Sequence, residues 1–512
     1  MKKYILGIDI GTSGTKTILV DDEGRVAAAK TVEYPLETPK PGWTQQNPAD
    51  WWQAAAESIR AVLEKSKVPG DQIAGVGFSG QMHGMVALDE AGEVVRPAIL
   101  WNDQRTERQC EEITETAGGL PGLLSYTNNR MLTGFTGGKI LWMKEEEPEN
   151  FARTKVILNP KDYVRYKLTG VIATEVSDAS GTGLFDVKNR CFSDELIAKL
   201  GLARSLFPKC YESYEIVGQV TSEAAKLTGL PAGLPVTAGG GDAVIQTMGS
   251  GLVHQGVLGV VIGTSGVVAM GLDGYKENAN GELQLFCSNA KHLWHAIGVT
   301  LAAGGSYRWY RDALCAAEKE EAARTGRDVY DILGEAAEKV APGCGGLLFL
   351  PYLSGERCPH FDSDARGVFY GLGLEHGKGA MSRAVMEGVT FSLRDVWEKI
   401  RAMDETIRPE KVVLSGGGAL SPLWRQIVAD VFHMPVVTVS GSGEGGAYGA
   451  ALVAGVGLGI WKDLIEATSV LREETRTEPI PENEEVYDRV YALYDKIYLA
   501  LKDSFKDLSQ LR

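Results

Sequence analysis

The pentapeptide IGTSG occurs twice in this chain, at residues 10–14 and 262–266, 252 residues apart in a total of 512. Apolar, β-branched runs flank both copies: YILGIDI and TKTILVD around the first, VLGVVI and VVAMGL around the second. Each copy therefore reads as strand, tight Gly-Thr-Ser-Gly turn, strand. A DEG turn and the run RVAAAKTVEY extend the first copy into an antiparallel meander, and a strand near 293–299 matches it in the second. A repeat at half the chain length predicts an internal duplication into two α/β domains, divided at about residue 248 into 1–248 and 249–512. Between the strands, apolar spacing and caps predict helices over 47–65, 138–147, 304–324, 329–339, 381–402, 421–431 and 484–508.

Composition narrows the partners. The net charge is −15 with no block of Lys or Arg, which argues against nucleic acid or an anionic membrane surface as the partner. The uncharged stretch 256–272 is short and broken by its Gly-Thr-Ser-Gly turn, so it reads as buried strands and not a membrane span. The apolar stretch before Asp9 is too short for a signal peptide. The seven cysteines are scattered, odd in number and without a CxxC pair, which suits reduced thiols and a cytoplasmic setting.

The Gly-Thr-Ser-Gly turn has a chemistry of its own. Its glycines let the backbone approach a ligand, and its N–H groups and hydroxyls converge on an anion. Two such turns facing each other could hold one polyphosphate from both sides. Asp9, on the strand feeding the first turn, can hold Mg²⁺ directly or through water, whereas the matching position of the second copy is Val261. The run AGGGDAV places Asp242 after three glycines near the domain junction, where a carboxylate with close substrate access can serve as general base. In GFSGQMHG, Gln81 and His83 are spaced to share one face of a strand. Trp101, Asn102 and Asp103 lie in the polar loop WNDQRT, and together these residues suit a polyhydroxy compound. LSGGGALS lies between a strand and a helix, as a nucleotide-binding loop does.

Other motifs exclude rather than assign. GVGFSG and GSGEGG both match GxGxxG, but the first continues as a strand and too little chain follows the second for a dinucleotide domain. GxxxxGK[ST] and GxSxG are absent. His292 and His295 lack a third ligand for zinc.

The motifs together resemble the FGGY carbohydrate kinases of the actin, sugar kinase and heat-shock ATPase superfamily along nearly the whole chain. DIGTSGTK resembles the first phosphate motif, GQMHG and ILWNDQRT the sugar motifs of members that phosphorylate D-xylulose, and GFTGGKILWMKEEEP the first family signature. AGGGD resembles the catalytic motif, the second IGTSG the second phosphate motif, FLPYLSGERCPHFDSDARGVFYGL with MSRAVMEGV the second signature, and LSGGGALSPLWRQIVAD the adenosine motif. The resemblance implies two ribonuclease-H-like (actin-like ATPase) domains, each a mixed sheet with flanking helices, around a central cleft. It implies Asp242 as general base and Asp9 as organiser of Mg²⁺. Thr12, Ser13, Gly263 and Thr264 would hold the phosphates of ATP, and Gly304, Gly417, Gly418 and Ser421 the adenosine. Gln81, Met82, His83, Trp101, Asn102 and Asp103 would form the sugar site, and the assembly would be a homodimer. Ribulose, gluconate or glycerol is the alternative substrate, and an actin- or heat-shock-like ATPase scaffold the more distant one. Two positions depart from the family pattern: Ala243 follows the catalytic Asp where Asn or Gln is usual, and Ala380 replaces a polar residue, expected on a helix surface.

Overall fold

The computed structural model describes residues 2–511. The chain forms two compact units: residues 1–254 with 271–295 and 444–472, and residues 255–270 with 296–443 and 473–512.

The first unit is built on a mixed sheet. Strand β1 (Tyr4–Ile10) pairs antiparallel with β2 (Gly14–Asp21), which pairs antiparallel with β3 (Val26–Glu33). On its other side β1 runs parallel to Ile73–Gly80, followed by Pro235–Thr237 (parallel) and Ile216–Gln219 (antiparallel). Side chains alternate across β1. Leu6, Ile8 and Ile10 face a core completed by Trp51, Ala55, Ile59 and Val62 of the helix Pro48–Ser66, whose N-cap is Asn47. Ile5 faces the opposite core, made by Ala447, Ala450, Ala451 and Ala454 of the helix Gly446–Gly457.

That second helix lies almost on the sheet backbone. A Cβ on Gly7 would come within 2.0 Å of the Ala447 carbonyl oxygen, and one on Gly77 within 2.1 Å of that of Ala450. Only glycine permits this approach. It sends the helix N-terminus to the end of β1, where Asp9 follows Gly7 on the same face.

The second unit repeats the plan. Val257–Ile262 pairs antiparallel with Gly266–Leu272 and parallel with Lys411–Ser415, followed by Val436–Val439 (parallel) and Glu473–Thr477 (antiparallel); Trp294–Thr300 lies beyond Gly266–Leu272. The strand order about the two IGTSG turns is thus the same, which gives the sequence repeat its structural meaning. The helices Lys378–Arg401 and Pro422–Phe432 are largely buried, as is Ala380, which lies inside the fold and not on a helix surface as the sequence suggested. The helix expected over 304–324 is two helices, Gly304–Leu314 and Ala316–Thr325, broken at Cys315 (φ −117°, ψ 50°). The C-terminal helix spans Pro481–Ser509.

Among the described residues, no helix is long and apolar enough to cross a membrane. Among the described residues, no cysteine forms a disulfide.

Candidate active site

In the first unit the site begins at the end of β1. Asp9 accepts a hydrogen bond from the Ser79 hydroxyl at 2.7 Å, and Gly446, opening its helix, is so close that a Cβ would lie 2.9 Å from Asp9 Oδ1. A carboxylate is well placed at a helix N-terminus. Burial raises the Asp9 pKa, while Ser79 and Lys16 oppose the rise. Lys16 is also paired with Glu444 at 2.8 Å.

Asp242 opens the short helix Asp242–Met248. Burial pushes its pKa up to about 7, the neighbouring Asp9 charge pushes the same way, and the N–H groups of Ala243 and Met82 pull it down. Two carboxylates thus share one region and both keep an accessible edge. Like charges this close resist joint ionisation unless a cation joins them. Among the described residues no cluster of three or more acids, His or Cys could cage a metal. A divalent ion here suits the Mg²⁺ pattern of one carboxylate with water and phosphate oxygens.

The first Gly-Thr-Ser-Gly turn is held from three sides. Gln46 Nε2 donates to the Thr12 carbonyl (2.8 Å), Trp101 Nε1 to Thr12 Oγ1 (2.9 Å), and Tyr34 Oη to the Gly11 carbonyl. Gln81 is fully buried, accepting from Thr12 Oγ1 and donating to Gly11 O and Gln46 Oε1. It supports the Gly-Thr-Ser-Gly turn. Ser13 at the tip is exposed.

Gln81 and His83 do not share a face, which corrects the sequence reading. The strand ends at Gly80, and His83 adopts a left-handed backbone (φ 69°). Its ring stacks on Phe135 with centroids 4.6 Å apart, and Nδ1 lies 2.7 Å from the Gly181 carbonyl. Met82 is buried against Gly241, where a Cβ would lie 2.6 Å from its Cγ. Trp101 is exposed and Asn102 accepts from the Thr44 hydroxyl (2.7 Å). Asp103 is fully buried, accepting from the backbone N–H groups of Thr44 and Arg105 and from Nε and Nη2 of the Arg105 guanidinium. Four donors leave that carboxylate bracing the loop, with Trp101 and Asn102 on its open side.

The turn that carries Asp242 rests on residues the sequence did not flag. Ser177 Oγ accepts from the Gly241 N–H (3.0 Å) and donates to Glu175, and Arg165 donates to the Ala238 carbonyl. Behind them Lys161 pairs with Asp162 (2.7 Å), Asp178 (3.0 Å) and Glu175 (3.4 Å), and Arg165 with Asp162, all with fully buried side chains. Three acids against two cations leave one negative charge over, and burial with its acidic neighbours raises the Asp178 pKa. Nothing in the spacing of these residues announces the cluster.

In the second unit, Gly263, Thr264, Gly304, Gly417, Gly418 and Ser421 all line one cavity of 840 Å³. Backbones converge there. A Cβ on Gly304 would come within 2.6 Å of the Gly263 carbonyl, and one on Gly416 (φ 81°) within 2.6 Å of that of Ile262. Ala303 and Gly305 both donate to the Thr264 carbonyl at 3.0 Å. Ser421 caps the helix Pro422–Phe432 by accepting from the Trp424 N–H. Glu356 of the second signature accepts from the Leu301 N–H (2.8 Å), steadying the approach to Gly304.

Two mixed sheets of this order, each with a loop-bearing hairpin, make the actin-like ATPase fold. The chain belongs to the FGGY family of carbohydrate kinases: the family's N-terminal domain matches residues 4–249 and its C-terminal domain residues 258–458. It is similar to the xylulose kinase of Bacillus subtilis, 39% identical over 511 residues that cover 100% of this chain and 99% of that one. The xylulose kinase of Lactococcus lactis is 39% identical over 498 residues, covering 97% and 96%. Among solved structures, the ligand-bound xylulose kinase from Lactobacillus acidophilus superposes with a TM-score of 0.90 at 28% identity, covering 99% of this chain and 100% of that one.

Proposed function

We infer that the protein transfers the γ-phosphoryl group of ATP to the terminal hydroxyl of D-xylulose, giving ADP and D-xylulose 5-phosphate. Full-length similarity to xylulose kinases supports the reaction. The observation that carries the mechanism is Asp242, an acid held at an accessible edge with a pKa of about 7.

A base working near neutral pH needs that value. Asp242 accepts the proton of the sugar hydroxyl as its oxygen bonds to phosphorus and the bridging bond to ADP breaks. The transition state for such transfer is loose, so Asp242 serves equally by aiming the hydroxyl. Met82, His83, Trp101 and Asn102 contact the sugar, while Gln81 and Asp103 act through the loops they hold. Thr12, Ser13, Gly263 and Thr264 bind phosphate oxygens, and Gly304, Gly417, Gly418 and Ser421 the adenosine. Asp9 holds Mg²⁺, which when bound neutralises phosphate charge.

The division at residue 248 leaves the sugar residues, the first phosphate turn and Asp242 before it, and the second phosphate turn and the adenosine residues after it. The second part, 249–512, still sends its 271–295 and 444–472 stretches into the first compact unit. Cysteines outside any disulfide suit the cytoplasm. The homodimer rests on family resemblance, and light scattering tests it.

A sugar panel with ADP release as readout tests the function. D-xylulose should exceed ribulose, gluconate and glycerol at least about tenfold in kcat/KM, a discrimination of roughly 1.4 kcal/mol. ATP turnover indifferent to every sugar would refute the assignment.

A further inference from the structure

The first family signature, beginning at Gly134, takes no part in the chemistry above, yet its residues close on the peptide of His83. A left-handed backbone costs a residue with a side chain about 1–2 kcal/mol, so surrounding contacts must hold it. Two donors from the helix Thr136–Glu146 meet the His83 carbonyl: Thr136 Oγ1 at 3.1 Å and Lys139 Nζ at 2.7 Å. Lys139 Nζ also donates to the Gly134 carbonyl. The preceding residue, Phe135, supplies the ring on which the imidazole stacks. Gly134 lies against the other sugar loop, for a Cβ there would come within 2.7 Å of the Trp101 carbonyl.

Lys139 is fully buried, and both of these acceptors are backbone carbonyls. Such a placement is costly for an ammonium. Burial pushes its pKa down to about 7, with Asp103 and Cys110 raising it and Arg105 lowering it. An apolar side chain of similar length would fill the space without that cost, so packing alone does not account for a lysine here.

We propose that Lys139 is a positioning residue for sugar recognition: with the Thr136 hydroxyl it clamps the His83 peptide in its left-handed conformation and so presents the imidazole to the sugar. The proposal rests on the reading of His83 as a sugar contact.

Steady-state kinetics of the full chain with D-xylulose and ATP test it, using Lys139→Met, Thr136→Val, Thr136→Ser and, as reference, His83→Ala. Lys139→Met should raise the sugar KM at least about tenfold and Thr136→Val about threefold, with the ATP KM within about twofold of the parent; Thr136→Ser, which keeps the hydroxyl, should restore the parental value. Should Lys139→Met fail to fold, the Thr136 pair carries the test. If His83→Ala raises the sugar KM while the Lys139 and Thr136 variants do not, or if they raise both KM values equally, the clamp is refuted. If His83→Ala itself leaves the sugar KM unchanged, the sugar-site reading falls and the clamp with it.

Discussion

Replacing Asp242 by Asn should abolish activity and stabilise the protein, by an amount set by pH. The folded carboxyl titrates near 7, against an ordinary value of 3.8. Below pH 3.8 both folded and unfolded chains hold the proton, and the site costs nothing. Between 3.8 and 7 the folded chain binds a proton that the unfolded chain has released, so stability falls as pH rises. Above 7 the cost is complete. Each tenfold change in acidity is worth about 1.4 kcal/mol, so the three between these values make about 4 kcal/mol; solvent at the open edge of Asp242 reduces this to about 2–3 kcal/mol. Asn keeps the shape and an acceptor for the Ala243 N–H but carries no charge. Thermal unfolding of both proteins, in chelator so that no divalent ion masks the pair, should show a gain of about 5 °C at pH 8 and less than half of that at pH 5. At pH 8 kcat should drop at least about 100-fold. A stability gain that is the same at both pH values, or a loss at pH 8, would refute the idea that burial of this charge sets its chemistry.

Asp9→Asn removes the neighbouring charge that helps lift Asp242, so the acidic limb of the kcat profile should move to lower pH and half-maximal activity should need more Mg²⁺; an unmoved limb and an unchanged metal requirement count against the pairing. Lys161→Met leaves Asp162, Glu175 and Asp178 with Arg165 as the remaining cation of the cluster, and should cost about 3–5 kcal/mol in urea unfolding; a loss under about 1 kcal/mol would show that the cluster does not need its lysine. Gly77→Ala drives a methyl to 2.1 Å from a backbone carbonyl and should cost more than about 2 kcal/mol, whereas Gly334→Ala, in a helix with nothing within 4 Å, should gain about 0.5–1 kcal/mol; matching values would refute the steric account.

How much the sequence discloses depends on how local the encoding is. Alternating apolar runs around Gly-Thr-Ser-Gly specify hairpins within about fifteen residues, and those strands are where the pattern puts them. Asp9 and Asp242 stand out in the sequence because an acid beside glycines, on apolar flanks, is locally anomalous. The divergence of Gln81 and His83 left no such mark, because the strand stops at Gly80 and the turn is enforced from residues 134–139, more than fifty positions away. The break at Cys315 carries no Gly or Pro to mark it.

The least legible part is what surrounds the two acids. Asp9 owes its surroundings to a helix that begins at Gly446, and the turn of Asp242 to Ser177, Arg165 and the buried ions behind them. The trace such long-range packing leaves in sequence is negative: glycines at 7 and 77 where a strand would favour β-branched residues, and Lys, Asp and Glu in runs that pass for solvated surface. An anomalous carboxylate is therefore easier to find than the groups that set its pKa, because its identity is written in one residue while its pKa is written in the fold.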